Sequence, residues 1–315
     1  MEFIREVFSI PFGWLIGLFY DISNNFILSL LLMTLCVKLV LLPSSIKQQK
    51  GMVKTQRMQP KIKRIREKYA GNQQKMNEAM NELYAREGYS SMTGGCSGLL
   101  IQLPVMMGVY YVNYKLLSYV LKIPENVMET IKTATHSLEA FTNNKNGEYQ
   151  IELIALRNFE QIKSVVPTEY VGKIEEFREN LSFLGMNLLD TPNTKLALSN
   201  PLWLVPIFTG VTAFAMGIYS WLRQKKTNPE MAKNPSMGCM TLTTPIMSIW
   251  FSFMFPASVG VYIIMSTLFS MVQMVVMNKV YSPKKVLAKT MVDETINRRA
   301  KEKMLKKIAN DKNEN

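Results

Sequence analysis

Apolar runs, several of them near the ~20 residues that a helix needs to cross a hydrocarbon core, alternate along this 315-residue chain with blocks that hold most of its charge. The mean hydropathy of +0.02 hides that segregation, because 48% of the residues are hydrophobic while 37 Lys or Arg and 24 Asp or Glu are also present. One soluble globule is not built that way. The net charge of +13 invites either nucleic acid or a membrane surface as its counterpart, and the apolar runs decide for a membrane with basic loops on its cytoplasmic side.

The pattern predicts an all-α, polytopic membrane protein with five transmembrane helices, a cytoplasmic helical hairpin and an N-terminal interfacial helix. Residues 1–22 form an interfacial amphipathic helix, since the apolar stretch Val7–Tyr20 is short, carries Pro11, and lacks the basic start and cleavage site of a signal peptide. The first span is 23–46, its apolar heart running from Phe26 to Leu42. Residues 47–97 are a cytoplasmic helical hairpin split at Ala70-Gly71-Asn72, with Met58, Ile62, Ile65 and Tyr69 on one arm and Met76, Met80 and Leu83 on the other at helical spacing. Pro60 predicts a kink or a fresh start in the first arm.

The second span is 98–121 and the extracytoplasmic region 122–200, where Ile151, Ile154, Phe159, Ile162 and Val166 suggest surface helices. The third span is 201–222, a cytoplasmic loop 223–240, the fourth span 241–256, the fifth 257–279, and a basic cytoplasmic tail 280–315. The apolar part of the fourth span, Leu242–Phe255, reaches only about 21 Å as a helix, which predicts a thinned bilayer around it. On this topology 26 basic and 10 acidic residues lie inside, against 9 basic and 14 acidic outside. The N-terminus is then outside and the C-terminus cytoplasmic.

Nothing points to an enzyme or a cofactor. The sole histidine, His136, has no metal-ligand partner at helical spacing, Cys36, Cys96 and Cys239 follow no short repeat, and phosphate-binding glycine loops and nucleophile elbows are absent. The 23 methionines fill membrane cores or form a surface that adapts to varied apolar partners.

Lys38 is the most informative residue, because a lysine near hydrocarbon costs ~2.5–3.5 kcal/mol on insertion scales. Either it snorkels to the nearby cytoplasmic surface, or the first, second and fifth spans enclose a water-filled groove with Lys38, Thr34, Gln102 and Gln273 on its wall. The tail either holds the topology against anionic lipid or binds a polyanion such as ribosomal RNA.

The order Lys38-Leu-Val-Leu-Leu-Pro43, Gln59-Pro60-Lys61-Ile62-Lys63, Glu67-Lys68-Tyr69, Leu100-Ile101-Gln102-Leu103-Pro104, Phe183-Leu184-Gly185-Met186-Asn187-Leu188-Leu189, Pro245-Ile246-Met247-Ser248 and Phe255-Pro256-Ala257 with Gly260, Tyr262 and Gln273 resembles the YidC family of membrane protein insertases. The resemblance implies a protein of the bacterial plasma membrane that receives nascent membrane proteins in a cytosol-open hydrophilic groove and releases them sideways into lipid. It also implies ribosome binding by the tail, work beside the Sec translocon or alone, and Tyr262 in the groove with Lys38. Departures are a lysine in place of the groove arginine, Tyr262-Ile263 in place of a paired aromatic, Gly88-Tyr89-Ser90-Ser91 and Cys96-Ser97-Gly98 in place of prolines, and a long 122–200 region. Apolar surfaces bearing Met247, Met254, Met265 and Met271 would pass the new helix to lipid. The rival readings are a small channel or transporter with a charged intramembrane site, and a scaffold for another complex.

Overall fold

A computed structural model describes residues 2–86, 97–142, 147–193, 197, 199–227, 235–280, 288, 291–292 and 295–305. The chain is mostly helical and divides into two compact units, one of residues 1–41, 98–222 and 235–271, the other of 42–97, 223–234 and 272–315.

The first unit begins with α1 (Glu2–Ser23) and α2 (Phe26–Val40), which pack against each other. Between them Asn24 turns the chain in the left-handed region at φ 47°, and the Asn25 side chain accepts from the Leu28 amide to cap α2. Short polar side chains tolerate both duties. On α1, Ile10, Trp14, Leu18 and Ile22 recur every fourth residue and all face outward, whereas Gly13, Ile16, Gly17 and Tyr20 turn inward. An outward apolar file on a helix with a packed inner face suits a lipid interface.

Helix α5 (Ser97–Val112) ends at a turn over 113–115, and α6 (Leu116–Tyr119) follows. The second apolar run is therefore not one straight helix as far as Leu121. A Cβ on Gly13 would come within 2.5 Å of the Tyr119 ring, and one on Gly17 within 2.5 Å of the Tyr119 carbonyl oxygen, so α1 lies directly on α6 only because both positions are glycine.

Residues 123–190 belong to the first unit, and their helices share its apolar core with α1 and α2. They comprise α7 (Glu125–His136), α8 (Glu139–Thr142), α9 (Ile151–Arg157), α10 (Phe159–Ile162) and α11 (Thr168–Asn180). A two-stranded hairpin, β1 (Ser182–Phe183) with β2 (Met186–Asn187), follows, turned by Leu184 and Gly185 at positive φ. The expected stripe of Ile151, Ile154, Phe159, Ile162 and Val166 is buried throughout, and all of it but Ile151 shares a core with Met128, Ile131 and Ile174. Phe177 meets Tyr20 and Phe26 edge to face at 5.3 and 5.9 Å, which joins this core to α1 and α2.

Three further helices follow: α12 (Leu204–Thr227), α13 (Pro235–Met254) and α14 (Ala257–Val280). A Cβ on Gly260 would overlap the Val205 side chain, and one on Gly210 would stand 3.1 Å from Ile249 Cδ1. Small residues thus let α14 and α13 approach α12, the usual means of packing helices in lipid. Helix α13 has 20 residues and starts at Pro235, so as a helix it is about 30 Å long, six residues longer at its start than the expected span. Among the described residues its apolar segment is Pro245–Met254.

In the second unit, α3 (Leu42–Lys68) and α4 (Gln73–Arg86) are joined by a turn at Tyr69–Asn72, with Gly71 at φ +92°, and contact each other. Met58 and Ile62 are buried. Helix α3 runs through Pro60 without a fresh start there. The connection from Gly88 to Cys96 lies outside the described residues.

Among the described residues two helices, Pro201–Lys226 and Ala257–Val280, are long and apolar enough to cross a membrane, and Phe26–Val40 with Leu42–Gln49 makes a third if that bent pair counts as one span. These lengths and compositions support a membrane protein of several spans, with the count of five left to the proposal below.

Candidate functional site around Lys38

Helix α2 is apolar on nearly all sides, and Thr34 and Lys38, two of its polar residues, are four residues apart and so share one face. Thr34 is buried and its hydroxyl donates to the Leu30 carbonyl at 2.6 Å, so its proton is committed within its own helix. Lys38 is different. Its Nζ donates to Ser270 Oγ at 2.8 Å, and Ser270 Oγ donates to the Ser266 carbonyl at 2.7 Å.

That contact defines a polar file on α14 made of Tyr262, Ser266 and Ser270, each four residues from the next. Tyr262 is 2% exposed and Ser266 is also buried. Sequence reasoning named Tyr262 and passed over the two serines, although their spacing was readable. Isolated serines in an apolar helix are common enough to go unremarked until a cation is found against one of them.

Gln273 and Gln102 are not brought to Lys38 by any described contact. Gln273 belongs to the second unit, where its amide lies 3.9 Å from the Met277 sulfur. Gln102 sits in α5, and its side chain lies outside the described residues.

Among the described residues the only polar contact of the Lys38 ammonium is this neutral hydroxyl. A hydrogen bond from a charged donor contributes ~1.5–3 kcal/mol, comparable with the cost of placing lysine near hydrocarbon. The bond therefore makes the residue tolerable without cancelling its charge. No cluster of metal-binding side chains occurs among the described residues.

Helices of this length and polarity, with a cation lodged on the inner face of one of them, define a multi-pass helical membrane protein. The chain belongs to the family described as 60Kd inner membrane protein, which it matches over residues 18–285. The relative named membrane protein insertase YidC from Oceanobacillus iheyensis is 25% identical over 293 residues, which cover 89% of this chain and 86% of that protein. Proteins of the same name from Nitrosospira multiformis and Clostridium perfringens are 35% and 37% identical over 106 and 93 residues, covering 34% and 30% of this chain. Those two matches span 18% and 39% of the relatives' own lengths.

Proposed function

We propose that this protein is a membrane protein insertase and chaperone of the bacterial plasma membrane, with five spans, the N-terminus outside and the C-terminus in the cytoplasm. Water entering from the cytosol reaches a hydrophilic groove bounded by α2, α5 and α14. Lys38 is the attractor in that groove, with Thr34, Tyr262, Gln102 and Gln273 on its wall. An acidic or polar segment of a nascent chain is drawn partway across by the ammonium group, and its apolar part then leaves sideways into lipid.

The observation that supports this reading most is the pairing of Lys38 with Ser270 at 2.8 Å. A structural ion pair would meet the ammonium with a carboxylate. A hydroxyl leaves the full positive charge for an incoming group, and in a medium of low dielectric that charge acts over a longer reach than in water. Names carried by the relatives point the same way. The driving force is electrostatic and hydrophobic, and no side chain is asked for covalent chemistry.

The exposed basic helix at 295–305, with Arg298, Arg299, Lys301 and Lys303, is assigned to ribosome binding, and the Sec translocon is a further partner in the membrane. For the attractor role, purified protein in liposomes should insert a small substrate with an acidic outer tail at least tenfold more slowly after Lys38→Ala, and at near the original rate after Lys38→Arg. Equal rates for the alanine variant would remove Lys38 from the mechanism. Selective solute flux with no insertion of any substrate would favour a channel or transporter.

A further inference from the structure

Helix α14 begins at Ala257 immediately after Pro256, so its first amides have no partner within the helix. Two of them find one far away in sequence. The Ala257 amide donates to the Asp190 carbonyl at 2.8 Å and the Ser258 amide to the Leu188 carbonyl at 2.9 Å. The carbonyl between these two, that of Leu189, accepts from the Arg157 guanidinium, whose Nε also lies 3.6 Å from the Asp190 carboxylate. Leu188, Leu189, Ala257, Ser258 and Val259 are all buried.

Arg157 is the last residue of α9, and near the other end of the same seven-residue helix stands Glu152. Glu152 is 4% exposed, the only charged side chain among the fully buried described residues. Its carboxylate accepts from the Ser118 amide at 3.0 Å and from the Ser118 hydroxyl at 2.6 Å. Ser118 lies in α6, just beyond the end of α5. Helix α9 therefore holds α6 through Glu152 at one end and the start of α14 through Arg157 at the other.

Burying a carboxylate and half-burying a guanidinium is costly unless each is fully hydrogen-bonded, and neither charge serves the site around Lys38. We infer that α9 is a brace which fixes the start of α14 relative to the α5–α6 turn, with Glu152 and Arg157 as its positioning residues. The 188–190 segment acts as an external cap for α14, and Arg157 holds that cap in register by taking the one carbonyl that points away from the helix. Thirteen residues further along α14 is Ser270, the partner of Lys38, so the brace sets where that hydroxyl stands. Its link to insertion rests on the function proposed above, but the brace itself does not.

Hydrogen exchange of the full chain in nanodiscs reads the brace directly, because the Ala257 and Ser258 amides are its end points. After Arg157→Ala these two should exchange at least tenfold faster while the amides of α11 stay within twofold of their original rates, and Arg157→Lys should restore much of the protection. If Arg157→Ala does not accumulate, Asp190→Asn, which keeps the volume and removes the charge, should raise the same two amides by a smaller factor. Unchanged exchange at Ala257 and Ser258 would overturn the brace, as would a uniform rise through α9 and α11, which would mean that Arg157 only holds those helices together. Loss of protection with insertion unaffected would leave the brace standing and count against the proposed role of the α14 polar file.

Discussion

A lysine and a glutamate, both withdrawn from water, behave in opposite ways because their partners differ. Among the described residues Lys38 meets one neutral oxygen and no carboxylate, whereas Glu152 receives two hydrogen bonds from Ser118 and a favourable field from Lys115. Burial nevertheless dominates at Glu152 and pushes its carboxyl above the usual glutamate range, with the Ser118 bonds and Lys115 pulling against it. A raised acid binds its proton more tightly in the folded state. Its contribution to stability is thus complete below the ordinary glutamate value and is lost as pH rises through the raised one. Glu152→Gln keeps an acceptor for the Ser118 amide and removes that dependence. The difference in Tm between the two proteins should accordingly change across this window, and a difference independent of pH would show that Glu152 titrates normally. At the surface the sense is reversed, since the Arg178 guanidinium holds Glu160 below its ordinary range. For Lys38, Ser270→Ala leaves the ammonium without its described partner. Insertion by that variant should stay above that of Lys38→Ala, because the charge remains, while Tm falls by a few degrees. Lys38 was legible in the sequence because a charge in an apolar run is conspicuous; Ser270 and Ser118 were not, because a serine's role depends on what faces it.

Among the elements, long apolar runs coincide with the helices α2, α12 and α14, since crossing hydrocarbon requires one long uninterrupted run. Two elements departed from that reading for physical reasons. Helix α13 extends to Pro235 through residues that are not strongly apolar, and helix formation there needs only backbone hydrogen bonds, not hydrophobicity. The second apolar run stops being one helix at Val112, where Asn113 turns its side-chain amide back to the Val109 carbonyl at 2.8 Å. Asparagine competes with the helix for such carbonyls. The contact of α12 with α14 depends on Gly260. Gly260→Ala forces its new methyl onto Val205, whose branched side chain has one preferred rotamer in a helix. Overpacking of that kind costs ~1–3 kcal/mol, and Val205→Ala in the same protein should recover most of it. A double-mutant cycle on thermal unfolding tests this, and additive losses would show that the two residues do not touch.

Across the whole molecule, segregation of charge is the feature that assigns sides, and the tail carries much of it. If the exposed cations at 295–305 contact ribosomal RNA, truncation after Val280 should weaken ribosome binding and flatten its dependence on salt, because each released counterion contributes to that slope. A slope unchanged by truncation would place the contact elsewhere, with the α3–α4 pair as the next basic surface to test. Membrane residence, helical class and family membership were all determined by the sequence alone, because the hydrocarbon core imposes one length and one solution on any chain that enters it. What faces Lys38, how 123–190 packs, and which carbonyls cap α14 were decided only by the tertiary structure. These depend on pairings between residues far apart in the chain, Ser258 with Leu188 at 2.9 Å and Lys38 with Ser270 at 2.8 Å among them, and neither periodicity nor composition carries information about a partner at that separation.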